Sequence, residues 1–274
     1  KPYVHYGTLQ SAMKEFEGSV EVKQFGGESQ MKITTTYKVK DESTATDAEV
    51  EAKLFNAMKG FYKETLTLDQ FRSTLENPNG IISSDKVGPT IANDMKRNAI
   101  IAVLLSLLVI FGYIAFRFKG WTWGLGGVAG LAHTAIIVIG FFSLFSGLLP
   151  FSLDVDQTFI AAILTIIGYA INDTVVIFDR IREFKTLHPN ADFKMNANLA
   201  INSTLTRTVN TSASTLVTML AIAIFGGESI RGLSVALCLG VVIGTYASIF
   251  IATPIMYDAT IHSLKKQALK EGRK

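Results

Sequence analysis

The stretch Gly168-Tyr169-Ala170-Ile171-Asn172-Asp173-Thr174-Val175-Val176-Ile177-Phe178-Asp179-Arg180-Ile181-Arg182 ends a long apolar run and holds an amide and a carboxylate inside it. Its apolar frame is that of a membrane-spanning helix. A carboxylate at the depth of Asp173 costs about 2.5–3.5 kcal/mol on insertion scales. A chain keeps such a group where its charge or proton is used, or where a buried partner offsets the cost. Asp179, Arg180 and Arg182 mark the return to water.

Outward from this stretch, the 274 residues are 49% hydrophobic and only 18% charged, a membrane composition. The apolar runs begin at Ala99, whereas the chain before Asn98 is polar and evenly charged. A net charge of +3 gives no reason to expect nucleic acid. Cys238 is the single cysteine, so no internal disulfide is expected. The first residues lack the apolar core of a signal peptide. A chain that opens on Lys1 in a soluble segment reads as a fragment of something longer.

Residues 1–86 read as a small α+β domain. Leu9, Met13 and Phe16 predict a short helix over Thr8–Phe16. Ser19–Phe25 and Gln30–Val39, with Gly26-Gly27 between them, predict a β-hairpin. Thr46-Asp47 caps a helix expected over Ala48–Tyr62, and Gly80–Val87 has strand character. His5 stands alone, and no catalytic constellation is evident here. A folding or docking module is the expectation, and no enzyme activity is expected.

The transmembrane domain is expected over 87–258, with spans at about 99–116, 121–145, 158–178, 208–225 and 233–252. A basic tail, 259–274, follows. One set of connections carries Arg117, Lys119, Arg180, Arg182, Lys185 and Lys194, and the tail adds Lys265, Lys266, Lys270, Arg273 and Lys274. The opposite loops offer only Arg231. Positive residues stay inside. Residues 1–98 are thereby expected outside the cytoplasm and the C-terminus within it. Trp121, Trp123, Tyr113 and Phe118 fit an interfacial aromatic belt. Gly126, Gly130 and Thr134, and again Gly240, Gly244 and Ser248, form small-residue ridges that permit close helix packing. Asp192–Thr206 reads as a helix along the cytoplasmic face or an arm leading into the fourth span.

On that span, Arg207, Asn210, Thr211, Ser214 and Thr218 recur on one helical face. Thr165, Tyr169 and Asp173 recur every four residues on the third. A polar stripe at this depth must face protein or water. The two spans are consecutive and antiparallel, so an approach of Asp173 to Arg207 is geometrically reasonable. Two readings of that pair stand side by side. Burial disfavours a charged carboxylate and a guanidinium favours it, so a mobile Arg207 would switch proton binding at Asp173. Alternatively, the pair is fixed and joins two helices, with the Asn and Thr side chains as interhelical hydrogen-bond partners. For Asp179–Glu183, marking topology and anchoring a loop is the better reading.

Tyr169–Glu183 resembles the signature of the SecF half of the bacterial SecD–SecF protein-export family. Val87-Gly88-Pro89, Tyr113-Ile114 with Arg117-Phe118, the Gly-rich second span with His133, and Arg207-Thr208 with Asn210-Thr211-Ser212 agree with it. Thr134 departs from the pattern, which commonly has an acidic residue after the histidine. The resemblance implies an α-helical polytopic fold, half of a pseudo-symmetric bundle of the resistance-nodulation-division type, with residues 1–86 as the smaller extracytoplasmic domain. Five spans are present where each half of the family has six, which fits a chain starting just after the first. It also implies proton-driven assistance to preprotein export across the bacterial inner membrane, without a cofactor other than the proton gradient. Implied partners are the SecD half, the SecYEG translocon, preprotein substrates, YajC, YidC and membrane lipid. By motif, Asp173 is the proton carrier and Arg207 its counter-charge. Asn172, Thr174, Asn210, Thr211 and Ser214 would line the path. A small-molecule exporter of the same superfamily and a structural subunit with a static Asp173–Arg207 pair are the rival functions.

Overall fold

The computed structural model describes residues 13, 16, 20–24, 30–41, 43–62, 65–72, 80–86, 88–145, 148, 153, 155–226 and 228–271. The chain divides into two compact units, residues 1–98 with 227–229 and residues 99–226 with 230–274.

In the first unit, β1 (Val20–Gln24) and β2 (Met31–Thr35) pair antiparallel, with Val20 opposite Thr35 and Gln24 opposite Met31. The strand period of two turns Met31 and Ile33 toward a core of Met13, Phe16, Val22 and Tyr37. Helix α1 (Thr44–Met58) closes that core with Val50, Leu54, Ala57 and Met58, and a 3-10 turn (Lys59–Phe61) adds Phe61.

Three expectations are corrected here. The second strand stops at Thr35 because its hydroxyl oxygen accepts from the Tyr37 N–H and Lys38 takes a left-handed φ of 47°. Helix α1 starts at Thr44, four residues early, because Asp41 organises its first turn from outside. The Asp41 carboxylate accepts from the Ser43 N–H at 3.1 Å and the Thr46 hydroxyl at 2.7 Å. No strand forms over residues 80–86. The Ile81 N–H instead donates to the Phe71 carbonyl at the end of α2 (Leu68–Arg72), and Gly80 lies so close to that carbonyl that a Cβ would collide. The helix expected over Thr8–Phe16 lies outside the described residues apart from Met13 and Phe16.

Helices of membrane-spanning length and apolarity make the second unit, five in all among the described residues. They are α3 (Pro89–Arg117), α4 (Trp121–Phe145), α5 (Gln157–Leu187), α6 (Phe193–Phe225) and a long last helix. That helix comprises α7 (Glu228–Ala247), a π-helical turn (Ser248–Ala252) and α8 (Thr253–Glu271). Of the two expectations for residues 192–206, the arm leading into the fourth span is the one observed, with Asp192 at its start. No glycine or proline interrupts 193–225, and α6 runs unbroken to Gly226. One half of the core joins Leu131, Val138 and Phe142 of α4 to Phe159, Ile163 and Ile167 of α5 and Ala236 of α7. The other half joins Ile114, Phe118 and Trp123 to Phe178, Ile181, Ala200 and Met256. Phe118 and Trp123 stack at 5.2 Å with Phe178 edge-on to both, so these two rings are core. Only Tyr113 and Trp121 remain exposed from the expected belt.

Both small-residue ridges lie where helices touch. A Cβ at Gly126 would come within 2.5 Å of the Ala252 carbonyl oxygen and the Met256 Cβ, and one at Gly244 within 2.9 Å of the Ala170 Cβ. Gly126→Val is therefore expected to destabilise the helical unit by about 1–3 kcal/mol through overpacking. Gly168, with nothing within 4 Å of its would-be Cβ, is the control: Gly168→Ala is expected to be neutral or stabilising. Unfolding in mixed detergent reads both. A second expectation concerns acid. Hydrogen bonds from Thr46 and Ser43 hold the Asp41 carboxyl below the usual range. A lowered carboxyl contributes stability above its unfolded value and loses it as the pH falls through the folded one. Amide protection over Ser43–Asp47, taken relative to the intrinsic exchange rate at each pH, is therefore expected to fall in acid, and Asp41→Asn to show the lower protection already at neutral pH.

Candidate functional site

Asp156 starts α5, its side chain accepting from the Phe159 N–H at 2.8 Å. From there α5 buries one face, Phe159, Ile163, Ile166, Ala170, Asp173, Ile177 and Ile181, at helical spacing. Asp173 falls in the middle of that apolar face and is 5% exposed. Helix α6 runs antiparallel beside it. Arg180 donates to the Ser203 hydroxyl at 3.1 Å, Asp173 meets Ser212, and the Tyr169 hydroxyl donates to Thr215 at 3.0 Å.

Two hydroxyls hold the carboxylate. Ser212 of α6 lies 3.3 Å and Thr245 of α7 lies 3.2 Å from the same oxygen, Oδ2 of Asp173, and the two hydroxyls are 2.6 Å from each other. One residue along α5, the Thr174 hydroxyl lies 2.8 Å from the Ser248 hydroxyl. Ser248 is the first residue of the π turn. Its carbonyl also accepts from the Thr253 hydroxyl at 2.9 Å. Asp173, Thr174, Ser212 and Ser248 are all buried.

Arg207 is exposed, and among the described residues it makes no ion pair. It makes no ion pair with Asp173, whose hydrogen-bond partners are hydroxyls. Asn172, Asn210, Thr211 and Ser214 are exposed as well. The Thr211 and Ser214 hydroxyls donate back to the Arg207 and Asn210 carbonyls of their own helix. Of the expected path-lining set, only Thr174 reaches the buried polar cluster. The buried face of α6 is a different stripe, Asn196, Ala200, Thr204, Thr208 and Ser212, every four residues. Ser212, Thr245 and Ser248 were not assigned to the site from sequence. The signals were there: the four-residue run of small polar residues ending at Ser212, and a hydroxyl beside the Gly240–Gly244 ridge.

Elsewhere in the helical unit, His133 has a buried Nδ1 without a hydrogen-bond partner and its ring lies 6.1 Å from that of Tyr246. Thr134 donates to the Gly130 carbonyl of its own helix. At the ends of α3 and α5, Asp179 is clamped between Arg117 at 3.1 Å and Arg182 at 3.0 Å, and both guanidinium groups flank the Phe118 ring. Among the described residues no group of three His, Cys, Asp or Glu side chains gathers as metal ligands would.

Known proteins match this chain along most of its length. The family model for the C-terminal part of the protein export membrane protein SecD/SecF covers residues 68–261. Protein translocase subunit SecF of Rhodothermus marinus is 49% identical over 193 residues, 70% of this chain and 62% of that protein. Protein translocase subunit SecDF of Thermus thermophilus is 42% identical over 64% of this chain and 23% of its own length. A crystal structure of SecDF in its Super-membrane-facing form aligns with a TM-score of 0.59 at 33% identity, over 83% of this chain and 28% of that one. The chain thus spans less than two thirds of these relatives.

The two polar clusters differ in burial, and the difference sets what each substitution costs. Thr174→Val removes a hydrogen bond between buried hydroxyls and is expected to destabilise by about 0.5–1.5 kcal/mol. Asp179→Asn weakens a clamp whose carboxylate is 38% exposed, and solvent screening keeps its cost below about 1 kcal/mol. Detergent unfolding at two ionic strengths separates them, because only the Asp179→Asn difference is expected to shrink with salt.

Proposed function

The chain belongs to the family of SecD/SecF protein export membrane proteins, and from that premise we propose that it is the SecF part of a proton-driven factor assisting preprotein export. The factor would act at the SecYEG translocon of the bacterial cytoplasmic membrane. Its role is transport, not catalysis. A SecD half completes it, in the same chain or beside it, as the fused name of the Thermus relative suggests. Residues 1–98 lie outside the cytoplasm and the end of α8 inside, by the distribution of Lys and Arg.

Asp173 takes up and releases the proton, and Arg207 is its counter-charge. The observation that carries this reading is the environment of Asp173. It is a buried carboxylate in a membrane-spanning helix whose partners are two neutral hydroxyls and no cation. A static ion pair needs contact, because a buried charge is tolerated only when its partner touches it. Arg207 stands apart and exposed. That separation favours a guanidinium that approaches in one state and withdraws in another. The exposed row Asn210, Thr211 and Ser214, with Asn172 facing outward on α5, would line the hydrated side of the path.

The test is preprotein translocation into vesicles holding the complete SecD–SecF pair, with Asp173 intact or replaced by Asn. Asparagine keeps the size and cannot cycle a proton. Stimulation by the proton gradient is expected to vanish in Asp173→Asn while the complex still assembles. Undiminished stimulation would overturn the reading.

A further inference from the structure

The geometry around Asp173 poses a problem of proton counting. Three oxygens, Asp173 Oδ2, Ser212 Oγ and Thr245 Oγ1, are pairwise 3.3, 3.2 and 2.6 Å apart. Each of the three contacts needs one hydrogen between its oxygens. A carboxylate is acceptor only, and each hydroxyl brings one hydrogen. With Asp173 ionised, two hydrogens serve three contacts. If both hydroxyls donate to Oδ2, the 2.6 Å contact between Ser212 and Thr245 is bare oxygen against oxygen. If one hydroxyl donates to the other, one of the two contacts to Oδ2 is empty. Among the described residues neither hydroxyl has a further acceptor, so neither hydrogen is engaged elsewhere.

A third hydrogen resolves the count. With the proton on Oδ2, the acid donates to one hydroxyl, that hydroxyl to the other, and the other back to Oδ2. Every contact is then filled in one direction round the ring. We propose that Ser212 and Thr245 are positioning residues of the proton site, forming with Asp173 Oδ2 a ring that closes only around the carboxylic acid, so that deprotonation opens one contact between α6, α5 and α7. The proposal rests on the reading of Asp173 as the proton carrier and says what that proton does to the helices.

The place of the ring makes the loss of one contact matter. Helix α6 packs on α5, where Arg180 bonds Ser203 and Tyr169 bonds Thr215, and the ring is where it meets Thr245 of α7. A further link between α6 and α7 lies at the opposite end, where Arg231 donates to the Ala223 carbonyl at 3.1 Å. Helix α5, by contrast, is locked to the last helix by Gly240 and Gly244 and by the Thr174–Ser248 bond. Opening the ring therefore loosens the contact of α6, the helix that carries Arg207, with α7 at Thr245, and leaves the Thr174–Ser248 link of α5 to the last helix closed. Few other groups near the ring can carry charge. Arg207 of α6 is exposed, and the rings of His133 of α4 and Tyr246 of α7 lie 6.1 Å apart. The π turn contributes no titratable residue.

The experiment places spin labels at Val217 of α6 and Val242 of α7, both exposed, in the complete SecD–SecF pair reconstituted in liposomes. Pulsed distance measurements are taken at acid and alkaline pH. The α6–α7 distance distribution is expected to broaden or lengthen on deprotonation, and to stop responding to pH in Asp173→Asn. Ser212→Ala and Thr245→Val are each expected to abolish the response, the double variant doing no more than either single one. Ser212→Thr and Thr245→Ser, which keep the hydroxyls, are expected to restore it. A pH-independent distance in the unsubstituted pair, additive effects of the two removals, or equal loss in the hydroxyl-keeping variants would each overturn the ring. Translocation assayed on the same samples separates the two claims. Lost gradient stimulation in Asp173→Asn, together with an α6–α7 distance that ignores pH in the unsubstituted pair, removes the ring and keeps the carrier. Retained stimulation in Asp173→Asn removes the carrier itself.

Discussion

A carboxylate inside a membrane bundle must be solvated by whatever the neighbouring helices can bring to it, and the packing of this unit is governed by how that is done at Asp173. Its partners are serine and threonine, the shortest hydroxyl side chains available. A short side chain reaches across a helix interface only if the backbones nearly touch. The glycines supply that approach: Gly244 sits against Ala170, next to Thr245 in sequence and one turn of α5 from Asp173. On α6, the buried stripe through Ala200, Thr204, Thr208 and Ser212 is equally small. The close ridges and the polar site are thus one feature. Bulk at Gly244 would push Thr245 away from the carboxylate as surely as it would disturb packing.

The π turn belongs to the same problem. The last helix has to offer Gly240, Gly244 and Ser248 to α5, then Ala252 and Met256 to the glycines of α4. A regular α-helix drifts in phase over such a length, and a single widened turn re-phases the residues beyond it. Within the turn the Ser248 carbonyl also accepts from the Thr253 hydroxyl. Ser248 ties the irregularity to the site, since it is at once the start of the turn and the partner of Thr174.

Much of this was legible in the residues. Five long apolar runs give the spans because burial in lipid demands length and little else. The hairpin and α1 were visible as periods of two and of about 3.6. Boundaries were less so. Asp41 starts α1 from three residues outside it, and Gly80 packs on a carbonyl in a stretch that merely looks extended. Polarity alone also divided 193–225 in two, although nothing in its backbone chemistry breaks the helix. At the site, Asp173 stood out because charge in an apolar run is conspicuous. Ser212 and Thr245 did not, because a hydroxyl in a membrane helix normally satisfies itself on its own backbone, as Thr165, Thr211 and Ser214 do here. Which hydroxyls turn away from their own helix is decided by tertiary contact.

That same contrast explains the two faces of α6. Its inner stripe is small and buried, and the Ser212 hydroxyl is held across the interface to α5 and α7. Its outer stripe, Arg207, Asn210, Thr211, Ser214 and Thr218, is polar and exposed in this chain. A membrane helix cannot show such a stripe to lipid without loss, so its natural surroundings are water or another protein surface. Arg207 is thus exposed on one side of α6, and the Asp173 carboxyl is enclosed on the other. In the proposed cycle a rotation or slide of α6 brings the guanidinium and the carboxylate together or parts them. In that proposed cycle the energy converted is the difference in what Asp173 prefers, hydroxyls when protonated and a cation when not.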